Sequence, residues 1–539
     1  MLQDIANYEF MSIIPAIVAI VLAFRYKNVY MALGIGLYVG IVLLDLREGS
    51  NIIMSLLESI ILLPVYLTNS MGDPGNAGII MQVLLIGGLV VLLNYTGGLK
   101  AVANYLTRWA KSRKSAQFVT WACGLFIFFD DYANSLIVGP VMRPITDKNL
   151  ISREKLSFII DATAAPISGV ALISTWIGFE LSLISEQLTS LGITDTSAMG
   201  LFLGSIPFRF YNIFMLVFIF LTIYMSREFG PMFNAEVRAQ KGEVKKKNST
   251  QDNSHADSFM KQKEGYEAKL YEGLVPIIVL VVSAIILFYT SGYNTILNSG
   301  DTSLINAFNN AGVLENIATA FSNANTYIVL SQAAILAIMT SILLSGLRGC
   351  FKVGQAVDRT IDGTQTLLST VFVLLFAWSI GTIMGEDGLN ASAFISSALG
   401  SWIPAFLLPL VIFLTSAFMA FSIGTSFGTM GILFPLAVPL AWGVNPDVAF
   451  LTICIGAILT GTIVGDHCSP ISDTTILSSS GADIDHLDHV TSQMPYAIFV
   501  GIVSAIGYLL AGLGLNIWLI FIMSIVSLIL VLKFYGEKV

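Results

Sequence analysis

Apolar residues run almost unbroken over 11–24, 29–46, 79–95, 157–190, 198–226, 272–290, 325–346, 365–384, 447–480, 494–512 and 515–532. Most of these runs approach or exceed the about 20 residues that a helix needs to cross a bilayer's hydrocarbon core. Two further runs, 116–142 and 403–440, are interrupted at their centres. Their polar middles are Phe129-Asp130-Asp131-Tyr132-Ala133-Asn134-Ser135 and Phe421-Ser422-Ile423-Gly424-Thr425-Ser426-Phe427-Gly428-Thr429. Non-helical backbone at membrane depth is tolerated only inside protein or beside a wet cavity, so each centre reads as the tip of a re-entrant hairpin. Runs 157–190 and 447–480 are too long for one straight helix and contain Pro166 and Pro470. Proline removes a backbone donor and kinks or breaks a helix, which predicts two broken helices. The pattern as a whole predicts an all-α polytopic membrane protein with about eleven spans.

Composition agrees. Of 539 residues, 55% are apolar and only 12% charged, with a mean hydropathy of +0.79. Soluble domains carry about 25% charged residues, so a water-facing surface of this size is excluded. Disorder is excluded with it, and a net charge of −8 leaves no general basic face for nucleic acid. Cys123, Cys350, Cys454 and Cys468 have no paired spacing and are expected to be reduced. Asp4 and Glu9 occupy a start without Lys or Arg. A cleavable signal needs a basic start, so the first apolar run is expected to be a retained helix.

Short basic loops mark the cytoplasmic face. Arg25 and Lys27, then Lys100, Arg108, Lys111, Arg113 and Lys114, then Arg143, Lys148, Arg153 and Lys155 fall in such loops. So do Arg348, Lys352 and Arg359. Segments 291–324 (Asp301, Glu315) and 385–404 (Glu386, Asp387) carry acids without Lys or Arg and are placed outside. The count gives an outside N-terminus and a cytoplasmic C-terminus. Hairpin 116–142, with basic flanks, dips in from the cytoplasm, and hairpin 403–440 dips in from outside. Residues 227–270, with Lys245, Lys246 and Lys247 before a Ser/Asn/Asp/Gln-rich stretch, read as a flexible cytoplasmic linker.

Opposed hairpins are what an inverted repeat predicts, with 1–226 and 271–539 as its units. Internal similarity supports it. Asn94-Tyr95-Thr96-Gly97-Gly98-Leu99 resembles Met384-Gly385-Glu386-Asp387-Gly388-Leu389, and Gly139-Pro140 resembles Phe434-Pro435. Asp161-Ala162-Thr163-Ala164-Ala165-Pro166-Ile167-Ser168 resembles Asp466-His467-Cys468-Ser469-Pro470-Ile471-Ser472.

The chemistry lies in carboxylates that the apolar runs should not contain: Asp130, Asp131, Asp161, Asp466 and Asp473. Each costs about 2.5–3.5 kcal/mol to insert at mid-bilayer. A cation site is the simplest account of them. Asp161 and Asp466 precede the helix breaks, where freed carbonyls and the hydroxyls of Thr163, Ser168, Ser469, Ser472 and Thr474 are hard oxygen ligands suited to Na⁺. Asp161 is therefore expected beside the Asp130–Asn134 tip, and Asp466 and Asp473 beside the Gly424–Thr429 tip with Thr425 and Ser426. Of Asp130 and Asp131, one is expected to face the site and the other to cap the returning helix. Asp473 reads equally as the cap of the half-helix after the break, and the hydroxyls equally as bonding back to helix carbonyls. Glu180 reads as structural, at a span end. His467 is a candidate pH sensor, or else a hydrogen-bond donor across the bundle. The stretch Asp483-Ile484-Asp485-His486-Leu487-Asp488-His489 reads as a solvated connector, with zinc binding as the alternative.

Phe128-Phe129-Asp130-Asp131-Tyr132-Ala133-Asn134, Asp161 to Pro166, Gly465 to Thr474 and His489-Val490-Thr491-Ser492-Gln493-Met494-Pro495-Tyr496 resemble the NhaC-type sodium/proton antiporters of the ion transporter superfamily. The resemblance implies a homodimer in the cytoplasmic membrane, with a scaffold and a transport domain moving as an elevator. It implies Na⁺ and H⁺ as cargo and no cofactor, and the residues expected to bind them are Asp130, Asp131, Asn134, Asp161, Thr163, Thr425, Ser426, Asp466, Ser469 and Asp473. The carboxylate transporters of that superfamily carry Ser-Asn-Thr at their hairpin tips, where this chain has Asp-Tyr-Ala-Asn and Gly-Thr-Ser. Na⁺ for H⁺ exchange is the expected function. The alternative is Na⁺-coupled transport or exchange of a small organic acid or amino acid. An intramembrane aspartyl protease would need Gly at position 463, which is Ile463.

Overall fold

The computed structural model describes residues 8–26, 28–194, 196–246, 262–385, 388–391, 394 and 403–539. Lys27, the polar centre of the linker at 247–261, Glu386, Asp387 and most of 392–402 lie outside the described residues. Ten helices among those described are long and apolar enough to cross a membrane, and twelve if two bent pairs each count as one span. The two are Ala198–Phe208 with Phe210–Met225, bent by 42°, and Val353–Gln365 with Thr370–Met384, bent by 46°. One of the ten, Ile52–Gly72, is absent from the expected runs. It carries Asn51, Glu58, Pro64 and several serines in or beside it, which dilute its apolar pattern. An unforeseen crossing removes the parity argument that placed the N-terminus outside.

Both hairpins and both broken helices are present. The first hairpin is Arg113–Phe126 with Asp131–Lys148, and the second Leu408–Ile423 with Ser426–Val444. The first broken helix is Arg153–Ser168 with Thr175–Ser190, and the second Val448–Cys468 with Asp473–Ala482. Among the described residues, five segments that can each be counted as a crossing separate the two hairpins: the first broken helix, the two bent pairs, Leu270–Asn298 and Thr326–Leu347. An odd number makes the hairpins dip in from opposite faces, so the repeat is inverted.

The repeat is visible residue by residue. Asp130 caps the returning arm of one hairpin and Thr425 that of the other, with φ/ψ of −158/127° and −155/129°. Pro140 and Pro144 in the first arm match Pro435 and Pro439 in the second at the same offset of 295 residues. Ser174 and Ser472 cap the two half-helices at an offset of 298. The expected equivalence of Asp161 with Asp466 is out of register, at 305. In the structural register Asp466 corresponds to Ser168, and Asp161 lies two turns further from its break.

The halves interlock. The half-helix Asp473–Ala482 packs on the first hairpin's arm Asp131–Lys148, and Thr175–Ser190 packs on the second hairpin's arm Ser426–Val444. Contact is close because glycines line it. A Cβ built on Gly139 would stand 2.5 Å from the Gly481 backbone across that contact, and within the second half one on Gly465 would stand only 2.1 Å from the Ala417 carbonyl oxygen. Overpacking of a rigid core costs about 1–3 kcal/mol. Gly465→Ala is therefore expected to lower the melting temperature of the purified protein, as read by fluorescence-detected size exclusion after heating.

The described first part of the linker, 227–246, is packed against the rest of the chain. Arg227–Glu228 pairs antiparallel with Glu537–Lys538. The helix Gly230–Gln240 is pinned by its charges. Glu236 pairs with Arg113 and accepts from the Ser152 amide at 2.7 Å, and Arg238 donates to Glu154 at 2.7 Å. Lys245 reaches Asp483 at 3.0 Å. Charged side chains that looked like a solvated run in sequence thus tie the first hairpin, the first broken helix and the 483–489 connector together.

Candidate functional site

The hairpin tips meet the helix breaks where the two halves interlock. Asp466, 5% exposed, accepts from the Ser426 hydroxyl at 2.8 Å and the Ser426 amide at 3.3 Å, both on Oδ2. Its Oδ1 has no hydrogen-bond partner. The expected pairing of Asp466 with the second tip is present. Asp130 accepts from the Ala133 amide at 2.7 Å and so caps its helix, which leaves the neighbouring buried Asp131 to face inward. Asp131 and Asp466 are near enough to interact electrostatically. The Tyr132 hydroxyl approaches Asp473 at 3.5 Å. Ser472, not Asp473, is the cap of the half-helix, because its hydroxyl accepts from the Thr475 amide while Asp473 is the first helical residue.

Asn134 lies wholly buried and holds the first tip to the first broken helix. Its amide nitrogen donates to the Gly124 and Thr163 carbonyls, each at 2.8 Å, and its Oδ1 is left without a partner. The Thr163 hydroxyl bonds back to Ile159 at 2.7 Å, and Ser469 donates to the Phe421 carbonyl at 2.8 Å. Both therefore serve the backbone. The carbonyls at the breaks are also occupied. Asn212 donates to Pro166, Ser174 to Ser168, Arg209 to Gly169 and Gln493 to His467, at 2.8–3.0 Å. Several buried oxygens near the tips and breaks make no hydrogen bond, among them Asp466 Oδ1, Asn134 Oδ1, Asn212 Oδ1, Ser168 Oγ, Thr475 Oγ1 and Gln493 Oε1. A hard cation is the chemistry such a set fits. Among the described residues, no three His, Cys, Asp or Glu side chains form a transition-metal cluster, the 483–489 segment included.

Asp161 reaches the first tip through Ser478, whose hydroxyl also bonds Ser135 at 3.1 Å. Its oxygens face the second half of the chain, accepting from Ser478 at 3.3 Å, His489 Nε2 at 3.1 Å and Gln493 Nε2 at 2.8 Å. His467 Nε2 lies 3.8 Å away, and its Nδ1 is 2.6 Å from the Tyr211 hydroxyl. His489 is fully buried, not part of a solvated connector, and His486 bonds the Pro470 carbonyl at 2.6 Å. His489, Gln493, Ser478 and Tyr211 were not anticipated as partners. The four-residue spacing of His489 and Gln493, which puts both on one helix face, was the signal available.

The buried cations are engaged elsewhere. Arg209 and Glu180, both 0% exposed, pair at 2.8 Å, and Lys155 pairs with Glu228 at 2.8 Å. At the second tip opens a cavity of about 270 Å³ lined by residues that include Tyr132, Thr425 and Asp473.

An inverted repeat of hairpins and broken helices around buried carboxylates defines a multi-pass membrane protein of the secondary-transporter class. The Na⁺/H⁺ antiporter family model matches residues 169–513, and the chain belongs to that family. It is 32% identical to an uncharacterized protein of Haemophilus influenzae over 97% of this chain and 94% of that one. It is 30% identical to the arginine/ornithine antiporter ArcD of Halobacterium salinarum over 34% of this chain and 38% of ArcD. Among solved structures, the Alcanivorax borkumensis YdaH transporter superposes with a TM-score of 0.52 at 14% identity. The match covers 85% of this chain and 90% of that one, a likeness of fold alone.

Proposed function

We propose that this transporter exchanges Na⁺ for H⁺ across the cytoplasmic membrane. The observation that carries the reading is Asp466. One of its oxygens is held by Ser426, the other is buried and makes no close hydrogen bond, and Asp131 is near enough to interact with it electrostatically. Na⁺ and a proton cannot occupy one carboxylate oxygen together, so competition at Asp466, with Asp130 and Asp131 beside it, couples the two fluxes. Asn134, Thr425, Ser426, Ser469 and Thr163 shape this site. Asp161, with His467, His489 and Gln493, forms a second polar centre that orients the broken helices against each other.

The hairpins and broken helices form the moving unit of an elevator, working against a frame that includes Val29–Arg47, Pro74–Thr96 and Leu270–Asn298. A homodimer would brace that frame in the lipid. The second reading, exchange of an organic acid or amino acid, draws on the similarity to ArcD.

A Na⁺ pulse on proteoliposomes carrying a pH gradient separates the two readings. Collapse of the gradient without added solute is the expected result. Strict dependence on an organic solute would overturn the first reading in favour of the second.

A further inference from the structure

The cavity at the second hairpin tip is too large for a bare ion. At about 30 Å³ per water, its 270 Å³ holds about nine waters, just below the usual range for organic-ligand pockets. It lies where the proposed moving unit meets the frame. Tyr30 and Asn28 come from the frame, Thr425 and Phe427 from the second tip, Tyr132 from the first tip, and Asp473 from the second break. Asp473 is the one charged side chain among the described residues that line it, and it is exposed toward that space. Phe427 is held in place by Trp176 and Phe179, with ring centroids 4.6 and 4.8 Å away.

Three aromatic rings and one carboxylate form a lining that attracts a cation with an apolar body. Among the described lining residues an organic anion finds no counter-charge, and Arg209 and Lys155 are buried in pairs with Glu180 and Glu228. We propose that this cavity binds a small organic ammonium ion, with Asp473 as its counter-ion and Tyr30, Tyr132 and Phe427 as its walls. The assignment rests on the transporter reading above and extends it. An organic cation seated at the tip would block or replace Na⁺ on its way to Asp466.

The test uses three compounds of one shape: choline, its neutral carbon analogue 3,3-dimethylbutan-1-ol, and the anion 3,3-dimethylbutyrate. Melting of the purified protein and Na⁺-driven proton flux in proteoliposomes are both read. Choline is expected to raise the melting temperature and to inhibit flux competitively with Na⁺, while the neutral and anionic analogues do neither. Tyr30→Ala is expected to raise the half-inhibitory choline concentration at least fivefold, with flux in its absence within twofold of wild type. Tyr30→Phe should behave as wild type. Should Tyr30→Ala fail to fold, Tyr30→Lys, which places a positive charge at the rim, should abolish choline inhibition. Equal action by all three compounds, or choline inhibition indifferent to Tyr30, overturns the assignment and leaves Na⁺/H⁺ exchange standing. Choline stabilisation without any Na⁺-driven flux upholds the cavity and overturns the exchange reading.

Discussion

Replacing Asp466 by Asn is expected to reduce the apparent affinity for Na⁺ by about 100-fold or more in a proteoliposome flux assay. The amide keeps the shape of the side chain and can still accept from Ser426, whose hydroxyl lies 2.8 Å from Oδ2. It loses the negative charge. Removing one partner of a buried ion pair costs about 3–5 kcal/mol, and each 1.4 kcal/mol is about tenfold in affinity. Asp161→Asn is expected to behave differently. Its oxygens already receive Ser478, His489 and Gln493, so the change should lower the melting temperature more than it raises the Na⁺ requirement. If neither variant loses Na⁺-dependent proton flux, the site assignment is wrong.

Arg209→Met should be among the most destabilising single substitutions in the chain. The guanidinium donates to both Glu180 oxygens, at 2.8 and 3.3 Å, and to the Gly169 carbonyl at 3.0 Å, with no exposed surface on either partner. Methionine fills much of the volume but leaves an uncompensated carboxylate in a dry interior, at about 3–5 kcal/mol. The double variant Glu180→Met with Arg209→Met removes both charges and is expected to recover most of that loss, because an apolar replacement of a buried pair is often neutral. Melting temperatures of the two variants check this. A single variant as stable as the double would mean that Glu180 takes up a proton once Arg209 is gone, so that no uncompensated charge is left.

Hairpins, breaks and repeat were legible because each leaves a mark in one dimension. A re-entrant tip interrupts an apolar run, a break sits beside a proline, and Pro140 and Pro435 hold the same place in each arm. Asp466 stood out because a carboxylate in an apolar run needs an explanation, and its place beside Ser426, which the structure bears out, followed from the same reasoning. Two expectations failed for a shared reason. Asp161 was matched to Asp466 by the letters around a proline, whereas the hairpin caps and half-helix caps set the register ten and seven residues away from that match. The 483–489 run was read as solvated from its polarity, although His489 is buried against Asp161 and Asp483 is paired with Lys245. Polarity in sequence does not distinguish water from a buried partner.

Hydropathy and punctuation thus determined, without coordinates, that this chain lives in a membrane, turns back on itself twice and carries acids where lipid would reject them. Those properties are local, since transfer energies and helix breaks depend on the residues at hand. Only the tertiary structure decided which oxygens are left over. Whether a carbonyl at a break is free depends on Asn212, Ser174, Arg209 and Gln493 arriving from elsewhere in the chain, and whether Asp161 is available depends on His489. Hydrogen-bond satisfaction is settled between distant segments, so only the folded arrangement shows that Asp161 is bonded on both oxygens, that Asp466 keeps Oδ1 unbonded and that Asp473 is exposed.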